Sequence, residues 1–283
     1  MDTGFEQRME AHMRRIQRLR LFDDDFMTKC FEGSPESVAL LLRVILGRSD
    51  LEVREFHIQH TLKNLQGRSV RLDIFAVDAS GKYYNIEVQR ENGGAGVRRA
   101  RFHSSLMDAN ALLERDDTDS LPETYVIFIT EHDVLGAGKG VYHVQRYVEE
   151  TGCVFGDGSH ILYVNGACRD ETPVGRLMHD FACTDASEMH YAPLAERVRH
   201  FKQDKEGIQA MCQIWEEVRN EGLQEGRKEG RKEGRKEGRK EGSKEALTAS
   251  IQNIMETMQL TLEQAMDALR ISPEERGYFR ERV

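Results

Sequence analysis

The amino-acid sequence predicts an α/β domain followed by a helical C-terminal appendage. Three observations support this fold class. Between about residues 20 and 200, short strand-like stretches lie between helical patterns. A Glu-Gly-Arg-Lys repeat without apolar side chains begins at Glu225. Three further helical patterns then follow in the last part of the chain.

The composition suits one large domain, or one domain with an appendage. The chain has 283 residues, of which 39% are hydrophobic and 31% are charged. Its 40 Lys and Arg and 49 Asp and Glu give a formal net charge of −9. This balance argues against a general polyanion binder, because such proteins carry a net positive field. It leaves room for a locally basic cleft.

The sequence also predicts a soluble, cytoplasmic protein. Met1–Arg20 is charged throughout and lacks the apolar region of a secretory signal. The most apolar stretches, Val38–Leu46 and Tyr125–Ile129, are far shorter than the roughly 20 residues of a membrane span. Five scattered cysteines without a Cys-x-x-Cys pair fit reduced thiols better than disulfides or a zinc site. His57 and His60 lie three apart in a predicted strand, so they are expected on opposite faces.

The main domain is expected to begin with two helices that are separated by Gly33-Ser34-Pro35. A turn at Asp78–Lys82 predicts a hairpin between the second and third strands. The predicted strands are 53–60, 70–77, 83–89, 125–130, 141–147 and 161–164, and the predicted helices are 26–31, 38–45 and 97–114, with helical pattern again from Pro173.

The four-residue repeat places Glu, Gly and the cations on separate stripes of a helix. Each Glu meets the next cation at i,i+3, and each Gly costs about 1 kcal/mol relative to Ala. We therefore expect a marginal, solvated helix that gains from a partner helix. Short helices are predicted after it at 247–258, 262–269 and 273–280, with Thr261 and Ser272 as N-caps. The expected domains are 1–220, 221–246 and 247–283.

The hairpin carries the residues that indicate chemistry. Glu87 and Gln89 share one face of their strand. If the hairpin brings Asp73 opposite Glu87, two carboxylates converge, which is costly unless a cation lies between them. Magnesium prefers such oxygen ligands and can activate a water for attack on a phosphoryl group. The spacing by itself leaves open that both carboxylates are solvent-facing residues of a half-exposed hairpin.

The helix after the hairpin is rich in cations. It carries Arg98, Arg99, Arg101 and His103, of which Arg99 and His103 share a face at i,i+4. Cations beside a metal-carboxylate pair would contact the phosphate of DNA and stabilise its transition-state charge. The alternative is a solvated helix face, which the helix taken by itself favours.

In their order along the chain, these motifs resemble those of the PD-(D/E)XK nuclease family transposases, also called Rpn-family recombination-promoting nucleases. The resemblance covers nearly the whole chain and includes the Glu-Gly-rich repeats. The first segments that carry it are Asp25-Phe26 … Phe31, Leu72-Asp73-Ile74, Asn85-Ile86-Glu87-Val88-Gln89 and Arg99-Ala100-Arg101-Phe102-His103. Further similarity lies in Pro122–Ile129, Gly156–His160 with Tyr163–Asn165, and Leu177–Phe181.

The resemblance implies a restriction-endonuclease-like mixed sheet of about four or more strands flanked by helices. It also implies metal-dependent hydrolysis of DNA, with Asp73, Glu87 and the Val88 carbonyl as metal ligands. Gln89 takes the place of the superfamily's lysine and can only hydrogen-bond, so activity is expected to be slow or to rely on Arg99 and a second metal. Asp25 is either an additional acid of the site or a helix N-cap.

Two hypotheses follow. The first is a Mg²⁺-dependent DNA endonuclease, with Mn²⁺ as a substitute, that acts in recombination or on mobile DNA. Its catalytic residues would be Asp73, Glu87 and Gln89. The second is a catalytically weak or inactive nuclease-like module for DNA binding or oligomerisation. In both, DNA is the partner, and the C-terminal helices aid assembly of a homo-oligomer such as a dimer.

Overall fold

The computed structural model describes residues 3–64, 67–90 and 92–283. The chain forms two compact units, one that ends at Ile214 and one from Trp215 to Val283. The predicted domain boundaries at 220 and 246 stay predictions. Within the described ranges, no helix combines the length and the apolar character needed to cross a bilayer.

The first unit is built on a mixed six-stranded sheet, which confirms the predicted α/β class. The strand order is β1-β2-β3-β4-β8-β5. Strands β3, β4 and β8 run parallel, while β1, β2 and β5 join by antiparallel pairing. The strands are β1 Val53–Leu62, β2 Val70–Asp78, β3 Tyr83–Gln89, β4 Thr124–Thr130, β5 Val141–Val144, β6 Tyr147–Val148, β7 Cys153–Val154 and β8 Ser159–Asn165.

The predicted strand 141–147 is too long. Strand β5 ends at Val144, and β6 pairs with β7 in a separate hairpin.

Helices pack against the sheet of the first unit and form most of the second unit. The helices are α1 Thr3–Gln17, α2 Asp24–Phe31, α3 Pro35–Leu46, α4 Val97–Ala111, α5 Pro173–Ala182, α6 Ala192–Gln203, α7 Lys205–Met258, α8 Leu262–Ala268 and α9 Pro273–Arg280.

Local sequence explains the start of α3 and the turn of the hairpin. The Ser34 hydroxyl accepts a hydrogen bond from the Ser37 backbone N–H, and Pro35 occupies the first turn, as an N-terminus favours. In the hairpin, Asp78 Oδ1 accepts from the backbone N–H groups of Ser80 and Lys82, both at 2.9 Å. These bonds fix the turn that joins β2 to β3.

The core on one face of the sheet forms between α4 and the central strands. Leu106 and Met107 of α4 pack with Val126 and Phe128 of β4. Six of the seven residues of β4 are buried, which agrees with the continuous apolar run of its sequence. This packing holds the first turn of α4 beside the end of β3.

The pairing of β2 with β3 stops before the strands end. The last bridged pair is Ile74–Ile86, whereas β3 continues along β4 as far as Gln89. Asp73 and Glu87 therefore lie just past the last paired position of the hairpin. This opening is where the predicted site residues meet.

The predicted separation of His57 and His60 on β1 is wrong. Their rings stack at 5.3 Å, and the His60 ring lies 5.1 Å from that of Phe75. Gln59 between them has a φ of 56°, in the left-handed region that non-glycine residues rarely adopt. This residue breaks the alternation of β1, so both histidines meet Phe75.

The second unit contains most of α7, together with α8 and α9. The helix α7 has 54 residues and runs through both the repeat and the predicted 247–258 helix without a break. A small core forms around Ile251, Met266 and Phe279. Thr261 is an N-cap as predicted and forms a capping box with Gln264. Ser272 is also at the N-cap position, but its hydroxyl bonds to the Glu275 carboxylate.

Candidate functional site

Asp73 lies at the opening of the hairpin and is largely withdrawn from water. Its Oδ2 accepts a hydrogen bond from the Val88 backbone N–H at 2.9 Å. Burial, and next the negative charge of Glu87, raise the pKa of Asp73 to about 7. The two carboxylates thus act on each other electrostatically, as expected for groups that face one spot.

Glu87 is fully buried, and its two oxygens have different surroundings. Oε2 accepts a hydrogen bond from Arg99 Nη2 at 2.8 Å. Oε1 is buried without a hydrogen-bond partner, and its nearest charged-group contact is His103 Nδ1 at 3.5 Å. A buried acceptor without a donor is costly, and a carboxylate oxygen more so. Oε1 is therefore suited to a cation.

Gln89 is held at the end of β3 by Arg99 and by a close approach of Gly94. Arg99 Nη1 donates to Gln89 Oε1 at 3.3 Å and to the Gly94 carbonyl at 2.9 Å. A Cβ at position 94 would collide with Gln89 Oε1. Glycine at this position therefore leaves room for the Gln89 amide beside the guanidinium.

His103 is buried and contacts the Arg99 side chain. It is 2% exposed, and its Nε2 accepts from Arg99 Nε at 3.2 Å. With Nε2 as the acceptor, the ring carries its proton on Nδ1, which lies 3.0 Å from the Asn85 amide. The nearest amide atom is the Asn85 nitrogen, so the Asn85 oxygen accepts this proton once the amide is turned over, and Glu87 Oε1 at 3.5 Å is the other oxygen beside Nδ1.

The cations of α4 separate into two groups. Arg99 and His103 face the carboxylates, as their i,i+4 spacing predicted. Arg98 and Arg101 are exposed, and neither makes an ion pair with the residues that the structure describes. Direct phosphate contact by the buried His103 therefore has no support in this geometry.

The acidic residue of α2 that interacts electrostatically with Asp73 and Glu87 is Asp24, whereas the sequence predicted Asp25. Burial raises the pKa of Asp24, and the charges of Asp25 and Glu87 add to this effect. The charge of Asp24 in turn acts on Asp73. The N-cap of α2 is Asp23, so the expectation of Asp25 as an N-cap is wrong.

Gln59 connects Asp24 to β1. Its Nε2 donates to Thr28 Oγ1 at 3.1 Å and to Asp24 Oδ1 at 3.4 Å. Gln59 lies opposite Asp73, between the pairs Ile58–Ile74 and His60–Leu72. Backbone strain of this kind is often found beside functional sites. The positive φ of Gln59 was not predicted, because glutamine is not a residue type that favours turns or left-handed backbone.

The donors present fit a small divalent cation. Asp73 and Glu87 supply carboxylate oxygens, one of them without a partner. A strand residue directs its N–H and C=O toward the same neighbour, so the Val88 carbonyl lies on the Asp73 side. Magnesium uses such oxygen ligands together with water.

Residues 36–167 match the family model described as PD-(D/E)XK nuclease family transposase. This match covers Asp73, Glu87, Gln89 and Arg99, and it confirms the resemblance for that segment. No curated protein and no solved structure gave a significant match.

Proposed function

We propose, from the premise that residues 36–167 belong to the PD-(D/E)XK nuclease family transposases, that this protein is a divalent-metal-dependent endonuclease of DNA. The family supports a nuclease in general, and its members generally use divalent metals. The observation that carries the proposal is the convergence of Asp73 and Glu87 beside the Arg99 guanidinium. We further propose a role in recombination or on mobile DNA.

In this proposal Asp73, Glu87 and the Val88 carbonyl hold Mg²⁺, with Mn²⁺ as a substitute. Asp24 takes the role of the additional acid that the sequence analysis gave to Asp25. The unpartnered Glu87 Oε1 and the raised pKa of Asp73 support this assignment. The first is a buried oxygen without a donor, and the second reflects a negative form that burial and the charge of Glu87 disfavour and that a bound cation would stabilise. When bound, the metal would polarise a phosphoryl oxygen and lower the pKa of a water.

The other residues bind and orient. Arg99 has a partly exposed guanidinium, which can hold a phosphate oxygen while it keeps its bond to Glu87. Gln89 can hydrogen-bond the attacking water but brings no charge. His103 and Asn85 are positioning residues that fix the direction of the Arg99 side chain.

The second candidate is a nuclease-like DNA-binding or assembly module with little or no activity. It is favoured by the uncharged Gln89 and by the Arg99–Glu87 ion pair, which already neutralises one carboxylate. In either case we propose DNA as partner, a homo-oligomer aided by the C-terminal helices, and a cytoplasmic location. Light scattering of the full chain tests the oligomeric state.

A plasmid-nicking assay separates the two candidates. Wild-type protein and the Asp73→Ala variant are incubated with supercoiled DNA, with and without Mg²⁺ or Mn²⁺, after thermal melting shows that both are folded. The nuclease proposal expects metal-dependent nicking by the wild type and its loss in the variant. Equal nicking by both proteins would refute the site. No nicking in either metal, with DNA binding retained, would favour the second candidate.

A further inference from the structure

The repeat segment of α7 presents an unbroken cationic stripe on an otherwise acidic protein. Seven Lys and Arg side chains between Lys228 and Lys240 lie next to one another along the helix, together with Ser243. All of them are exposed. Residues 227–241 hold eight cations and four glutamates, whereas the whole chain has a net charge of −9. The stripe is therefore a local reversal of the protein's charge.

The charge of the stripe is not neutralised within the helix. The repeat pattern predicted pairs between each Glu and the next cation, such as Glu229 with Lys232. Among the described side chains of residues 227–241, no ion pair of this kind forms. Exposed pairs gain little and lose side-chain entropy, so these long side chains remain apart. The cations are thus available to an external anion.

The spacing of the stripe suits the backbone of a nucleic acid. Each repeat advances about 6 Å along the helix and turns about 40° beyond one full turn. Lys228 to Lys240 therefore covers about 18 Å. One strand of duplex DNA presents about five phosphates over that length. The stripe turns about 120° over these three repeats, so the four central cations face the strand together, because they lie within about 100° of one another around the helix; they are Lys232, Arg235, Lys236 and Arg239. Four cations beside about five phosphates give a favourable charge match.

A second copy of the same repeat is a poorer occupant. It offers one Glu for every two cations, so half of the positive charge would stay uncompensated. Residues 225–242 contain no apolar side chain, and association of helices into a coiled coil requires an apolar seam. A phosphate backbone carries only negative charge, so it can compensate the cations more fully. Its binding also requires no apolar seam.

We propose that the cationic stripe from Lys228 to Lys240 is a binding track for the phosphodiester backbone of DNA, formed by residues other than those of the Asp73 site. The proposal rests on the proposed function for the identity of the polyanion. The track reads no bases and gives salt-sensitive affinity. Each glycine of the repeat weakens the free helix, so DNA binding also stabilises the helical form.

The test is fluorescence anisotropy of a labelled duplex with the full chain carrying Asp73→Ala, in EDTA, so that cleavage does not interfere. Binding is measured between about 50 and 200 mM salt. In the same background, Lys232, Arg235, Lys236 and Arg239 are changed to Gln, which has a similar helix propensity. A matched control changes Glu229, Glu233 and Glu237 to Gln.

The track predicts that the cation variant binds more weakly and that its slope of log K against log salt becomes shallower by about 3 to 4. The glutamate variant binds at least as tightly as its parent. An unchanged slope in the cation variant overturns the track, as does a change in oligomeric mass without a change in DNA binding. The nicking assay tests the Asp73 site independently of this binding experiment. If nicking depends on Asp73 but the salt slope of the cation variant is unchanged, only the track is rejected. A shallower salt slope supports the track whether or not nicking occurs.

Discussion

Arg99 Nη2 lies 2.8 Å from Glu87 Oε2, so a cation of helix α4 is joined directly to a carboxylate of strand β3. The same guanidinium contacts Gln89, which the family resemblance places at the position of a lysine. The charge that Gln89 lacks is therefore supplied from the next element of the chain. In the proposed nuclease, this arrangement would let a glutamine at that position serve chemistry on a phosphate.

Arg99→Gln is expected to lower the nicking rate about 10²–10³-fold, since a donor aimed at developing charge is removed. Metal affinity should stay equal or increase, because Glu87 loses its counter-ion. The measurement is the single-turnover rate against Mg²⁺ concentration. Arg98→Gln is the control, because Arg98 is exposed and makes no ion pair with the site carboxylates or with the other residues that the structure describes. Equal losses in both variants, or weaker metal binding in Arg99→Gln, would contradict this role.

Gly94→Ala should reduce the nicking rate by up to about 10²-fold, because the new methyl group displaces the Gln89 side chain. The free energy of unfolding should change little, since the colliding atom is the end of a flexible side chain. Rates are compared for Gly94→Ala, Gln89→Ala and the double variant. If Gly94 acts through Gln89, the double variant is no slower than Gln89→Ala. Additive losses would show that Gly94 has another role.

Asp24→Asn is expected to weaken Mg²⁺ binding about 10–100-fold, as loss of a ligand or of a group that supports one does. The reason is that Asp24 acts electrostatically on both Asp73 and Glu87. Asp25→Asn is the matched control from the same helical turn and should change binding much less. Calorimetric titration with Mg²⁺ or Mn²⁺ measures the difference. A larger effect of Asp25→Asn would restore the original assignment.

These residues also show where sequence reasoning succeeds and where it ends. The meeting of Asp73 with Glu87 follows from strand alternation and a turn at Asp78, which are both local. The choice of Asp24 over Asp25 depends on how α2 packs against β1, and a run of three aspartates does not specify that angle. The kink at Gln59 could not be predicted, because no turn-forming residue type occurs there. The parallel order of β3, β4 and β8 likewise depends on contacts distant in sequence.

The pKa of Asp73, about 7, gives a prediction about stability without metal. Burial is the main cause of the rise, and the charge of Glu87 adds to it. The folded protein then holds this proton more tightly than the unfolded chain, so the free energy of unfolding falls as the pH rises from about 4 to about 7. Asp73→Asn removes this titrating group, so the free energy of unfolding of the variant should fall less steeply between about pH 4 and 7. Urea unfolding in EDTA at several pH values, for wild type and variant, measures it. Because groups remote from this cluster titrate equally in both proteins, parallel curves would show that Asp73 does not carry the raised pKa.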